Sequence, residues 1–169
     1  MHITILADAS HCPDTKAGGY GYWIASKRGK KGGLGPFKGR IPNSTIAEMM
    51  AIANSLYDAV RHCLVQQNDS ILFQTDCEAA IYGFTGKRSI TQEEAKVVNF
   101  IKKVTRGMNL TVSYKHVKGH TSNKQARFAA NNACDRAARK AMRKARNLVR
   151  IEDAKRLLES SRSKHETIS

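Results

Sequence analysis

No apolar run in the 169-residue chain approaches the roughly 20 residues that a membrane-spanning helix needs. A helical membrane protein is thereby excluded. Cysteine is sparse: Cys12, Cys63, Cys77 and Cys134 lie far apart, with no Cys-x-x-Cys pair and no Cys/His cluster. Neither a zinc site nor a disulfide framework is indicated, and a reducing compartment suits such usage. The opening residues, Met1-His2-Ile3-Thr4-Ile5-Leu6, lead straight into a strand pattern without the charged stretch and cleavage site of a signal peptide. The expectation is a cytoplasmic protein. No internal repeat interrupts the chain. Acidic side chains are also few, 14 against 29 Lys and Arg, a formal charge of +15. That excess favours a polyanionic partner, nucleic acid or an anionic membrane surface.

What is present is an ordinary globular composition, 41% hydrophobic and 25% charged, in a chain long enough to bury a core without staples. The charge is unevenly placed. Residues 1–100 hold 11 basic and 9 acidic side chains, whereas residues 101–169 hold 18 and 5.

Hydropathy patterning predicts a strand over 2–8, an aromatic strand over 20–25, a charged turn at 27–33 and a short strand over 34–40. Close spacing makes these an antiparallel meander. Met49, Ala53, Leu56 and Val60 then recur at helical steps within 44–62. A short apolar strand follows at 71–75, then a brief helix from Cys77 that stops at Gly83 or Gly86. Thr91-Gln92-Glu93-Glu94 has capping-box spacing ahead of a helix carrying Val97, Ile101 and Val104. Residues 110–117 alternate as a half-buried strand, and from Ala126 the chain is rich in the helix formers Ala, Lys and Arg. The order β-β-β-α-β-α-α-β-α implies a mixed sheet with helices on its faces. Residues 1–146 are expected to form one domain, and 147–169 a basic extension, helical and then disordered.

Four carboxylates hold suggestive places. Asp8 ends the first strand, Asp76 ends the fourth, Glu48 lies early in the first helix and Asp135 in the last. If strands one and four are neighbours, Asp8 and Asp76 emerge side by side, and helices starting near that edge bring Glu48 and Asp135 to the same point. Clustered carboxylates repel unless a cation joins them. Oxygen-only ligands select hard divalent ions, Mg²⁺ or Mn²⁺, and a pair of such ions suits displacement at phosphorus. The same residue types also serve as strand-end turn formers and caps, and spacing alone does not choose between the readings.

The segments Leu6-Ala7-Asp8-Ala9-Ser10, Gly18-Gly19-Tyr20-Gly21, Ala47-Glu48-Met49-Met50-Ala51, Thr75-Asp76-Cys77-Glu78, Val117-Lys118-Gly119-His120 and Asn131-Asn132-Ala133-Cys134-Asp135, taken in order, resemble the ribonuclease H type 1 family over about residues 1–145. The resemblance implies an RNase H-like mixed five-stranded sheet, three antiparallel strands and then two parallel, flanked by helices. It implies an endoribonuclease that hydrolyses the RNA strand of RNA–DNA hybrids by a two-metal-ion mechanism and leaves 5′-phosphate and 3′-hydroxyl ends. Asp8, Glu48, Asp76 and Asp135 would hold two Mg²⁺ ions, with Mn²⁺ as a substitute, and His120 would be an assisting loop residue. Ser10, Asn43, Ser44, Thr45 and Asn131 fall where the family meets its substrate, although Asn43-Ser44-Thr45 stands where Thr-Asn-Asn is frequent, Ala9 where Gly is common and Glu78 where an amide is. The implied partner is the hybrid itself, bound by a monomer, with no membrane.

Other readings stay open at this point. One is a DNA-directed nuclease or resolvase on the same fold; another is a non-catalytic hybrid-binding module. Lys87, Arg88, Lys96, Lys102 and Lys103 form either a reduced basic handle or a solvated helix face. Tyr20, Tyr22 and Trp23 read as core strand residues, and His116 as structural. Arg136, Arg139, Lys140, Arg143, Lys144, Arg146 and Arg150 follow in close succession. That run reads as a solvated helix face, a phosphate-binding surface or a partner-docking helix.

Overall fold

The central strand β1 (His2–His11) is buried on both faces from Ile5 to Asp8. Ile3, Ile5 and Ala7 enter the main core, while Asp8 belongs to the opposite set. The computed structural model describes residues 1–117 and 126–166. In these, β2 (Gly18–Ser26) and β3 (Gly29–Pro36) form the meander, and α1 (Ser44–Arg61) leads to β4 (Ser70–Thr75). Then come α2 (Glu78–Thr85), α3 (Gln92–Gly107), β5 (Thr111–His116) and α4 (Ala126–Glu166). The sheet order is β3-β2-β1-β4-β5. β1 is antiparallel to β2, and β2 to β3, whereas β1, β4 and β5 run parallel. This is the RNase H-like mixed sheet that the resemblance implied.

The third strand begins five residues earlier than the hydropathy pattern predicts and ends four earlier. Only Lys27 and Arg28 form the turn, with Ser26 paired to Gly29 and the Ser26 hydroxyl accepting from the Arg28 amide at 3.1 Å. The glycines that disguise this strand serve its neighbour. A Cβ on Gly33 would lie 2.3 Å from the Tyr22 hydroxyl oxygen, and one on Gly35 2.8 Å from that of Tyr20. The aromatic rings of β2 lie across bare β3 backbone. Tyr22 is buried and donates to Asp58 at 2.8 Å. Trp23, on the other face, is 39% exposed beside Gly32 and does not join the core.

The helix α1 buries more than the single stripe predicted. Ile46, Ala47, Met49, Ala51, Ile52, Ser55, Leu56 and Ala59 are all buried, because α1 packs against β1 and β2 on one side and α2 and α3 on another. At α3, the Thr91–Glu94 capping box forms with both reciprocal bonds. Gly86 ends α2 with φ +72°, a left-handed conformation that suits glycine.

Among the described elements, α4 alone lies on the opposite face of the sheet. Its buried residues Cys134, Ala138, Ala141, Ala145 and Val149 recur at steps of three and four and are nearly all small. The strand beneath is equally bare: a Cβ on Gly21 would sit 2.4 Å from the Cys134 carbonyl oxygen, and one on Gly19 2.3 Å from the Met142 amide nitrogen. Glycine on the strand and alanine on the helix let the two backbones nearly touch. The helix runs unbroken across the boundary expected at 146/147. Val149 packs with Ala17 and Ala145, and Asp153 pairs with Arg40 at 2.6 Å. Helical backbone continues through residues 160–166, where disorder was expected.

Candidate active site

The parallel pairing of β1 with β4 places Leu6 beside Gln74. Two residues further along, Asp8 and Asp76 leave the same end of the sheet as neighbours. Asn43 caps α1 there, its side-chain oxygen accepting from the Ile46 amide at 2.9 Å, which fixes where the first turns of α1 point. Glu48, one turn in, reaches back to the strand and accepts from the Ala9 amide at 3.2 Å. Asp8, Glu48 and Asp76 thus offer carboxylate oxygens within 4.8 Å of one another.

The electrostatics of this group are severe. Asp8 is only 6% exposed. Burial, then the charges of Asp76 and Asp135, push its carboxyl up to about 7. Burial and the charges of Asp8 and Asp76 likewise raise Glu48 well above the usual carboxylate range. One oxygen of Glu48 is held by Ala9, but its Oε2 is buried with no hydrogen-bond partner. A buried carboxyl oxygen without a donor is costly, and ionising it beside Asp8 and Asp76 is costlier still unless a cation joins them. The donor set is all oxygen, so a hard divalent cation fits it on both counts.

Asp135 does not join that trio among the described residues. Its Oδ1 instead accepts from Arg139 Nε at 2.8 Å, one helical turn along α4. Its charge nevertheless raises Asp8, so it borders the cluster rather than completing it. The position follows from the glycine contact: Gly21 pairs with Asp8 and touches α4 at Cys134, the residue before Asp135.

Of the other residues singled out in sequence, Ser10 is half-buried on β1 opposite Gly19. Asn43 and Ser44 are exposed, and Thr45 is half-buried in the first turn of α1. Asn131 is 6% exposed, a buried position within α4 and neither a cap nor a surface residue. His120 lies outside the described residues. Arg88 braces α3, donating to Glu94 at 2.7 and 3.0 Å, and so is withdrawn from any basic handle.

Sequence reasoning missed several supports. The amide of Ala9 fixes Glu48, and no side chain signals it. His116 Nε2 donates to the Asp76 carbonyl oxygen at 3.0 Å, tying the end of β4 to β5; its place at the end of an alternating strand was the available clue. Arg139, four residues after Asp135, was legible as a helical ion pair.

Solved structures share this fold. The N-terminal RNase H domain of Rv2228c from Mycobacterium tuberculosis, a fusion with maltose-binding protein, superposes with a TM-score of 0.65 at 20% identity, over 85% of this chain and 95% of that one. The RNase H1 of the halophilic archaeon Halobacterium salinarum gives 0.65 at 16% identity, over 86% and 100%. LC11-RNase H1, isolated from compost and solved in complex with an RNA/DNA hybrid, gives 0.62 at 17%, over 85% and 98%. No curated protein matches the sequence. The RNase H family profile matches residues 1–143, and the chain belongs to that family.

Proposed function

We propose that the protein is an endoribonuclease that cuts the RNA strand of RNA–DNA hybrids, using two divalent ions, Mg²⁺ or Mn²⁺, and leaving 5′-phosphate and 3′-hydroxyl ends. The observation that carries this reading is the convergence of Asp8, Glu48 and Asp76 within 4.8 Å, with Glu48 Oε2 buried and unpartnered. Family membership supplies the reaction class.

Asp8, Glu48 and Asp76 would hold the ions, and Asp135, at the border of the cluster and paired with Arg139, would join them by giving up that pairing. Bound there, the ions supply activation of water and stabilisation of the leaving oxygen in a displacement at phosphorus. The protein's own contribution is positioning. The adjacent strands hold Asp8 and Asp76 in fixed register, so little reorganisation is needed on binding. Glu48, anchored through one oxygen, keeps the other free to face an ion or a ribose 2′-hydroxyl, the group that tells RNA from DNA. Ser10, Ser44 and Thr45 offer short hydroxyls around this edge, Asn43 sits at the same helix start, and Asn131 approaches from α4; all five are proposed substrate contacts. His120 is proposed to assist proton movement or product departure.

A single gel assay tests the reading. Labelled hybrid, single-stranded RNA and duplex DNA are incubated with and without Mg²⁺. Cleavage of the hybrid's RNA strand alone, and only with metal, is expected. A hybrid with one 2′-deoxynucleotide should resist cutting at that position. Efficient cutting there, or of duplex DNA, would reject the assignment in favour of a DNA-directed nuclease.

A further inference from the structure

Beyond the carboxylates, α4 carries a second ordered feature. Arg136, Arg139, Arg143, Arg146 and Arg150 recur at steps of three, four, three and four, so their side chains form one seam along the helix. The buried residues Cys134, Ala138, Ala141, Ala145 and Val149 mark the sheet-facing side. The seam therefore points away from the sheet, and four of its five arginines are exposed, Arg146 being half-buried. No acidic residue occurs between 136 and 151. Like charges at such spacing repel, whereas a helix face that is merely solvated commonly mixes signs.

The seam also has a direction. It begins beside Asp135, which Arg139 holds. Contacts of α4 with Gly21, Gly19 and Ala17 in turn carry it past the end of β1 that bears Asp8. From Arg136 to Arg150 the seam spans about 21 Å at 1.5 Å per residue, or roughly six phosphates of one strand at 3.4 Å each. Within it, Arg146 Nε is buried without a hydrogen-bond partner. Arginine, with its planar fork of donors, matches phosphate oxygens in pairs.

We infer that this arginine seam is a phosphate-binding rail that grips the duplex flanking the cleavage site, without reading its sequence. The inference rests on the nuclease reading above for the identity of the duplex, but its test does not require cleavage. Full-length protein and the variant Arg143→Gln/Arg146→Gln/Arg150→Gln are titrated against a fluorescent 20-base-pair hybrid and the matching DNA duplex, without divalent ion, at several salt concentrations. The log–log salt slope should fall by about 0.9 for each lost contact. Between 50 and 200 mM salt, wild type should then lose about 40-fold more affinity than the variant, on both duplexes. Lysine at the same three positions should retain most of the slope. If the glutamine variant fails to fold, Arg150→Gln alone should lower the slope by about 0.9. Unchanged slopes would overturn the rail even if hybrid cleavage is robust. A reduced slope with no hybrid cleavage in Mg²⁺ would uphold the rail and reject the nuclease reading instead.

Discussion

Replacing Gly21 by Ala tests whether backbone contact between β2 and α4 sets the site. The added methyl would lie 2.4 Å from the Cys134 carbonyl oxygen, 2.7 Å from the Ala137 Cβ and 2.9 Å from the Ala138 amide nitrogen. Comfortable contacts are about 3.5–4 Å, so α4 must retreat by about 1 Å, and no flexible side chain can absorb the shift. Overpacking of this kind costs about 1–3 kcal/mol, and the upper part of that range applies because the obstructing atoms belong mostly to the backbone. For a domain of this size, about 2–3 kcal/mol lowers Tm by roughly 4–12 °C. Catalysis should suffer separately, since Asp135 follows Cys134 directly and a 1 Å misplacement can cost on the order of 10²-fold. Thermal melts and hybrid cleavage at temperatures where the variant remains folded would measure both losses. Gly107→Ala, where an added Cβ meets nothing within 4 Å, is the control and should be neutral or slightly stabilising. Wild-type melting and turnover in Gly21→Ala would refute the seating of α4 on β2.

Asp8→Asn and Asp76→Asn should each reduce hybrid cleavage by about 10³ or more, since several kcal/mol of charge stabilisation depend on the ligand set. Hybrid binding, followed by anisotropy, should persist in both. His120→Ala should slow turnover by about 10²-fold at most, the lower end for a positioned histidine; complete inactivity would demand a primary catalytic role. Asp69 is buried against Arg28 and accepts from the Gln66 amide at 2.8 Å, and the guanidinium first among its partners holds its carboxyl well below the usual range. Its contribution is therefore fully present above the unfolded-state pKa near 3.9 and is lost as pH falls below that towards the depressed folded value. Asp69→Asn should lower stability by about 2 kcal/mol at neutral pH and flatten the acid limb of a denaturation-versus-pH curve.

Local signals made much of this protein legible in its sequence. Element order, the α3 capping box and the buried strand β4 follow from periodicity and capping chemistry, which act over a few residues. The ordered motifs around Asp8, Glu48, Asp76 and Asp135 carry the family resemblance in the sequence itself. Tertiary structure decided what depends on atoms distant in sequence. The start of β3 was hidden because its glycines answer to the rings of Tyr20 and Tyr22 on another strand. Trp23 reads as core by residue type, yet its face of the sheet leaves it exposed. Three carboxylates converge because β1 and β4 are parallel neighbours and the Ala9 amide catches Glu48. Asp135 stands aside because Arg139 holds it and Gly21 fixes how near α4 approaches. Sequence specifies which groups are available; distances and burial, which set their charge and their partners, arise only when the sheet and α4 close upon each other.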